Sequence, residues 1–365
     1  MSDQTPPHDA ASHDATSHDT GPHMPVMLDE VLAALAPRDG GIYVDGTFGN
    51  GGYTNGILSV ADTRVIGIDR DPTAIANAQD MAAAHQGRLT LVSGCFGDMA
   101  VLLPPVLSSM GVPAADGIAL DLGVSSMQLD QAERGFSFRL DGPLDMRMDA
   151  GAGDTPSAAD VVNTYEPKDL AQIFKVLGEE RQARRVAQAI VRRREDEPFT
   201  RTADLADVVA QAIGGKPQRI HPATRVFQAL RIYVNDELGE LARGLMAAEK
   251  LLAEGGRLAV VSFHSLEDRV VKRFLAARSG AVANPSRHLP EAVAGPEPSF
   301  RLLSRKAQEP TDAEISRNPR ARSAKLRAAE RTSAPMHEVD MSEAGLAALG
   351  LPRMMAGLVA EGGQA

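Results

Sequence analysis

Apolar residues along this chain fall into two rhythms that alternate. Short runs at Ile42–Asp45, Arg64–Asp69, Leu89–Ser93, Gly117–Asp121 and, much later, Arg257–Phe263 are nearly continuous in apolar residues and bounded by polar or glycine-rich stretches, so they read as strands. Between them lie segments with helical spacing. Runs such as VIGI and GIALDL lack an in–out alternation, which is expected of parallel strands covered by helices on both faces. The pattern predicts a doubly wound α/β fold with a mainly parallel sheet.

The stretch between Asp121 and Arg257 far exceeds the roughly dozen residues that one crossover needs, so a second unit is inserted there. Its patterning is helical throughout. Glu179–Glu195 places Ala183, Val186, Ala187, Ile190 and Val191 on one face. Thr202 suits the N-cap of ADLADVVAQAI, and Pro222 the first turn before ATRVFQALRIYV. Asp236–Leu252 then leads back to the sheet and is expected to stop at Gly255–Gly256. The predicted organisation is a split Rossmann-like domain over 23–127 and 236–331, with an all-helical insert at 128–235 for substrate recognition. Residues 1–22 repeat His-Asp pairs without apolar periodicity and read as a disordered leader. Residues 332–365 read as a flexible tail, in which Leu346, Leu349, Leu351, Met354 and Met355 suggest a short amphipathic helix.

Composition narrows the class. With 365 residues, 43% of them hydrophobic, the chain can bury a sizeable core. It has no apolar run of membrane-spanning length, and MSDQTPPHDA does not resemble a secretion signal, so a cytoplasmic protein with no membrane partner is expected. A single cysteine, Cys95, excludes internal disulfides and cysteine-rich zinc sites. His8, His13, His18 and His23 could bind metal loosely, but a solvated leader is the better account, and no resident metal is predicted. The net charge of −10 sits mainly at the ends, where the first 23 residues hold four aspartates and no Lys or Arg. By contrast, residues 301–331 hold nine Lys/Arg against four acids, and 216–231 contain Lys216, Arg219, Arg225 and Arg231 without an acid. Local basic surfaces can therefore meet a polyanion.

Candidate chemistry gathers at strand ends. The loop after the first strand, DGTFGNGGYT from Asp45, lets the backbone turn sharply and approach a ligand. Its glycines match neither G-x-G-x-x-G nor G-x-x-x-x-G-K-[ST], which argues against dinucleotides and ATP. Asp69 ends the second strand at about the offset where an acid receives ribose hydroxyls; capping the helix at Pro72 is the alternative role, for which Asp71 is better placed. Asp121 ends the fourth strand, outside the carboxyl ends where open α/β sheets bind ligands. Asp45, Asp69 and Asp121 together describe a pocket for a nucleoside-containing cofactor without phosphates. S-adenosylmethionine fits, because its ammonium and ribose hydroxyls call for carboxylates.

At this point the chain resembles the ribosomal RNA small subunit methyltransferase H family, which makes N4-methylcytidine in 16S rRNA. The resemblance covers about residues 23–331. It is carried by HMPVMLDEV from His23, DGTFGNGG from Asp45, GIDRDPTAI from Gly67, LDLGVSSMQLDQAERGFSF from Leu120 and DGPLDMRMD from Asp141. Further on come GEER from Gly178, HPATRVFQALRIYVNDEL from His221, SFHSLEDRVVKRF from Ser262 and NPRARSAKLRAAER from Asn318. It implies a Rossmann-like S-adenosylmethionine-dependent methyltransferase, with cofactor contacts from Gly51, Gly52, Tyr53, Asp69, Phe96, Asp121 and Gln128. The chain departs from the family at Tyr53, where histidine is common.

Methyl transfer to an exocyclic amine needs an acceptor for the amine protons. Asp121 is the first candidate, and His264 in SFHS the second, with a local helix cap involving Glu267 or Asp268 as its alternative role. The target base must leave its stack to enter such a cleft. Arg134, Arg147, Arg225 and Arg231 are candidate RNA contacts, although Asp141 and Asp145 could hold Arg147 in an ion pair. Arg184, Arg185 and Arg192–Arg194 read as a solvated helix face. The expected partner is 16S rRNA in the small ribosomal subunit, with no DNA, the protein being a monomer or homodimer. A DNA amino-methyltransferase should show D/N/S-P-P-Y/F where this chain reads Asp121-Leu122-Gly123-Val124, and a non-catalytic RNA-binding factor should have lost the glycine loop or the strand-end acids.

Overall fold

The computed structural model describes residues 25–214, 221–280, 296–338, 340 and 342–355. The leader, with His8, His13 and His18, lies outside them, as do His23, Lys216 and Arg219. Seven strands form one sheet: β1 Ile42–Asp45, β2 Arg64–Asp69, β3 Leu89–Ser93, β4 Ala115–Asp121, β5 Leu252–Ser262, β6 Phe300–Leu302 and β7 Lys325–Arg331. Their order is β3-β2-β1-β4-β5-β7-β6. The first five are parallel, and β7 pairs antiparallel with both β5 and β6. This is the Rossmann-like arrangement, in which the strand order reverses between β1 and β4 and opens a crevice at their carboxyl ends.

Both faces of the sheet are covered. Ile42, Val44, Ile66, Ile68, Ile118, Leu120, Leu258 and Val260 point to one side, against the helices Met99–Ser109, Glu237–Leu251 and Ser265–Arg278. Tyr43, Val65, Ala119, Ala259 and Val261 point to the other, against Val31, Leu35, Ile57 and Leu58. The period of two along each strand produces this division, so a strand buried on both sides shows no polar alternation in its sequence.

The segment between β4 and β5 is helical and has its own apolar core, from Phe136 and Leu144 through Phe174, Ile190, Leu205 and Leu230. Its main helices are Ala158–Thr164, Pro167–Val176, Ala183–Asp196, Thr202–Ile213 and Thr224–Val234. Thr202 is the first helical residue and not the N-cap; its hydroxyl accepts the Gly142 N–H at 3.1 Å. The helix expected to run to Gly255–Gly256 ends at Leu251, and those glycines sit inside β5. There the register with β4 slips between Ala115 and Gly117, and Gly255 takes a left-handed φ of 77°.

The described residues between Thr332 and Met355 correct the flexible tail. A helix at Glu343–Ala348 buries Leu346, Leu349 and Leu351 in the main core, and Met355 reaches the core of the helical part. The path to it is held by Glu249, fully buried, which accepts from Arg278 Nε at 3.0 Å, Ser299 Oγ at 2.6 Å and the His337 N–H at 3.1 Å. Apolar spacing foreshadowed the helix but not its anchorage, which depends on a glutamate far away in sequence. Leu346→Ala should therefore cost about 2–5 kcal/mol in chemical denaturation, the range for emptying a core leucine site; a change below about 0.5 kcal/mol would return this segment to the surface.

Candidate active site

A cavity of about 410 Å³ opens at the carboxyl ends of β1, β2, β4 and β5. The glycine loop forms its floor and is stitched to the neighbouring strands. Gly46 N–H donates to Ala119 O at 2.9 Å, Phe48 N–H to Ile68 O at 2.9 Å, and Gly49 N–H to Asp69 Oδ2 at 2.7 Å. Asp121 N–H donates to Thr47 Oγ1 at 2.6 Å. Gly51 starts the helix Gly52–Val60 with φ 73°, a left-handed conformation that favours glycine, and a Cβ there would lie 2.9 Å from the Phe48 ring. Gly52 and Tyr53 line the cavity, whereas Gly51 is not part of its wall. The Tyr53 hydroxyl is committed to Val26 O at 2.6 Å, which fastens Pro25–Met27 over the loop.

The three strand-end acids differ in what they have to spare. Asp45 is buried and spent on local structure, its Oδ2 accepting Thr54 N–H at 3.1 Å and Thr54 Oγ1 at 2.8 Å. Asp69 also accepts the Asp71 N–H on Oδ1 at 2.8 Å, and burial raises its affinity for a proton. Asp121 is different. Its Oδ1 is buried without a hydrogen-bond partner, and burial, with Asp45 and Glu267 nearby, pushes its carboxyl well above the ordinary range. A buried polar oxygen left unmatched is costly, so the site is built for a donor that the protein does not supply.

The helical part and the C-terminal strands complete the walls. Gln128 lines the cavity and donates to Asp71 Oδ2 at 3.2 Å while its own Oε1 accepts from Ser125 N–H at 3.1 Å. Asp71 also caps the helix Pro72–Asn77 through Thr73 N–H, as expected. Phe96 lines the cavity as well, and its ring packs against Gly244, where a Cβ would come within 2.5 Å of it.

Several candidates have other duties. Arg134, expected on RNA, is nearly buried and pairs with Asp71 at 2.6 Å while donating to Met148 O at 2.9 Å. Arg147 pairs with Asp145 at 2.7 Å. Arg231 lines the cavity, but both Glu237 oxygens accept from it at 2.7 Å. Among the four, Arg225 is the exposed one. His264 is not on the cavity wall; it caps the helix Ser265–Arg278, its Nδ1 accepting the Glu267 N–H at 3.4 Å, with Nε2 3.0 Å from Glu267 Oε1. The side chain that reaches the wall is Glu267, with Glu237, Phe263, Asn318 and Arg320 beside it. Burial alone would raise the Glu267 carboxyl, but His264, Arg231 and the Phe263 N–H outweigh it and hold it below its usual range. Sequence reading named Glu267 only as part of a helix cap, although its place just past the end of β5 was itself a signal of ligand contact.

Residues 20–332 match the MraW methylase family. The chain belongs to that family. It is 60% identical over 331 residues to the Ribosomal RNA small subunit methyltransferase H of Parvibaculum lavamentivorans, covering 90% of this chain and 95% of that relative. The namesake from Rhodospirillum rubrum is 59% identical over 318 residues, covering 86% and 95% respectively. This methylase is a methyltransferase, and its methyl donor is S-adenosylmethionine. The cavity fits that donor: Asp69 offers a carboxylate to hydroxyl groups, Phe96 offers an aromatic wall, and Asp121 keeps one oxygen that no protein group matches.

The methylase should also show a pH signature from Asp45. Burial raises this carboxyl from 3.8 to about 6 in the folded chain, so the folded state holds a proton that the unfolded state releases. The stabilising contribution is complete below about pH 4 and is lost as pH rises through 6, up to about 3 kcal/mol in all. Denaturation of Asp45→Asn between pH 4 and 7 should show a visibly smaller loss of stability than wild type; parallel pH curves would contradict this.

Proposed function

We propose that this methylase transfers a methyl group to the N4 exocyclic amine of a cytidine in 16S rRNA, in the decoding region of the small ribosomal subunit. The names of its relatives support the rRNA substrate. The observation that carries the chemistry is the buried Asp121 oxygen without a partner in the cavity wall.

A cytosine amine is a poor nucleophile because its lone pair is conjugated into the ring. Asp121, accepting a hydrogen bond from that amine, turns the lone pair away from the ring and toward the methyl carbon. When bound, S-adenosylmethionine supplies a methyl group made electrophilic by a positively charged sulfur. Formation of the nitrogen–carbon bond leaves the nitrogen with a proton to lose, and Asp121 takes it. A carboxylate in this buried site has the raised proton affinity that the role requires. Glu267 stays ionised behind it through His264 and Arg231, and so resists protonation of both acids together. Gln128, Leu129 and Met148 of the helical part line the same cavity as the strand ends and would help to enclose the flipped base.

Labelled donor should transfer its methyl to unmodified small-subunit rRNA, free or assembled, and nucleoside mass spectrometry should identify N4-methylcytidine. Label appearing only in DNA or protein would contradict the proposal. Asp121→Asn should lower kcat on that substrate by about 10²–10⁴-fold; a loss under about 3-fold would remove Asp121 as proton acceptor.

A further inference from the structure

We propose that the arginine-bearing turn at the cavity mouth, Arg317, Arg320 and Arg322, grips the RNA phosphates flanking the target nucleotide. This rests on the rRNA reading above and names the surface that serves it.

From Ser316 to Ala329 the chain carries five Arg and Lys residues and no acid, within a protein of net charge −10. Two of the five face Asp268: Arg327 pairs with it at 2.7 Å, and the partly exposed Lys325 lies 3.9 Å from the same carboxylate. The other three are exposed. The local fold explains why. In the single helical turn Pro319–Ser323, Ala321 is buried in the cluster that contains Phe48 and Tyr53, and Ala324 follows it into the same core. With the alanines held inside, Arg320 and Arg322 stand outward. Pro319 restricts the turn, and the Asn318 side chain accepts the Arg320 N–H at 3.1 Å, so the arginines are presented on a braced backbone.

The turn also stands at the cavity mouth. Asn318 and Arg320 line the cavity, so the exposed arginines adjoin the entrance through which a nucleotide must pass. A base extruded into the cavity leaves its two flanking phosphates at the rim, where the planar guanidinium fork suits them. Arg320 also pairs with Asp130 at 2.8 Å, and those side chains are 46% and 62% exposed. Such an exposed pair contributes little to stability, and a phosphate can take the place of Asp130. Of the other arginines considered for RNA, Arg134, Arg147 and Arg231 are held in ion pairs, and Arg225, although exposed, does not line the cavity.

The test is binding of unmodified small-subunit rRNA to the full-length protein across a salt series. Arg320→Ala/Arg322→Ala should weaken binding at least about 10-fold at moderate salt. It should also make the slope of log K against log salt shallower by about 0.7 for each phosphate no longer engaged. Arg184→Ala/Arg185→Ala, on the exposed face of the helix Ala183–Asp196, removes equal charge and should change neither quantity. Arg320→Lys should recover part of the loss, and thermal unfolding should confirm that each variant is folded. Wild-type affinity and slope in the double variant, or an equal loss in the Arg184/Arg185 control, would overturn the proposal while leaving the methylation reading intact. Loss on intact subunits but not on naked rRNA would assign the turn to a ribosomal protein and overturn it too. A wild-type protein that neither binds nor methylates rRNA would sink both readings.

Discussion

An ionisable carboxylate is buried at the carboxyl end of β4 with one oxygen unmatched, and the rest of this structure is arranged around that fact. Leaving Asp121 unpaired in a low-dielectric site is expensive unless a ligand completes it. The parallel sheet brings the residue there, because the reversal of strand order between β1 and β4 prevents the loops above them from closing over one another. The glycine loop then ties its backbone to β2 and β4 and leaves the Asp121 side chain facing the opening. Neighbouring acids are treated differently: Asp45 is consumed by Thr54, while Glu267 is kept ionised by partners. Similar residues in one cleft thus acquire distinct proton affinities from their surroundings.

The helical part is held over the cleft by charged links rather than by apolar packing alone. Arg134 and Gln128 converge on Asp71, Arg70 reaches Glu240 and the Asn235 carbonyl, and Asn235 in turn bonds Met146 and Met148. Partly buried pairs of this kind give modest net stability but demand a particular geometry, which is what a closed cavity requires. This commitment also determines where RNA can be met. Arginines used to fasten the lobe are withdrawn from the surface, and an acidic chain is left with a small basic area beside the entrance.

β1 and β2 were legible to the residue because strands buried on both faces leave near-continuous apolar runs, and the edge strand β3 from its short apolar run between polar stretches. β6 and β7 were not. KLRAAER carries a charge at nearly every second or third place, and it becomes a strand only because β5 offers an open edge. Asp69 and Asp121 were found at the cavity because strand ends can be located from sequence, whereas Phe96 and Gln128 were implied only by the family resemblance. The Arg134–Asp71 pair joins residues far apart in the chain, and no spacing rule announces it. His264 and Glu267 illustrate a third limit: sequence identified the pair, and only packing showed that the glutamate, rather than the imidazole, reaches the cavity.

The most direct measurement is a crystal structure of the protein with S-adenosylhomocysteine and cytidine bound. An Asp121 carboxylate oxygen should lie within about 2.7–3.2 Å of the cytosine exocyclic nitrogen, with the ring enclosed between the sheet and the helical part. A base whose amine is held by another acceptor, with Asp121 turned wholly to the cofactor, would contradict it.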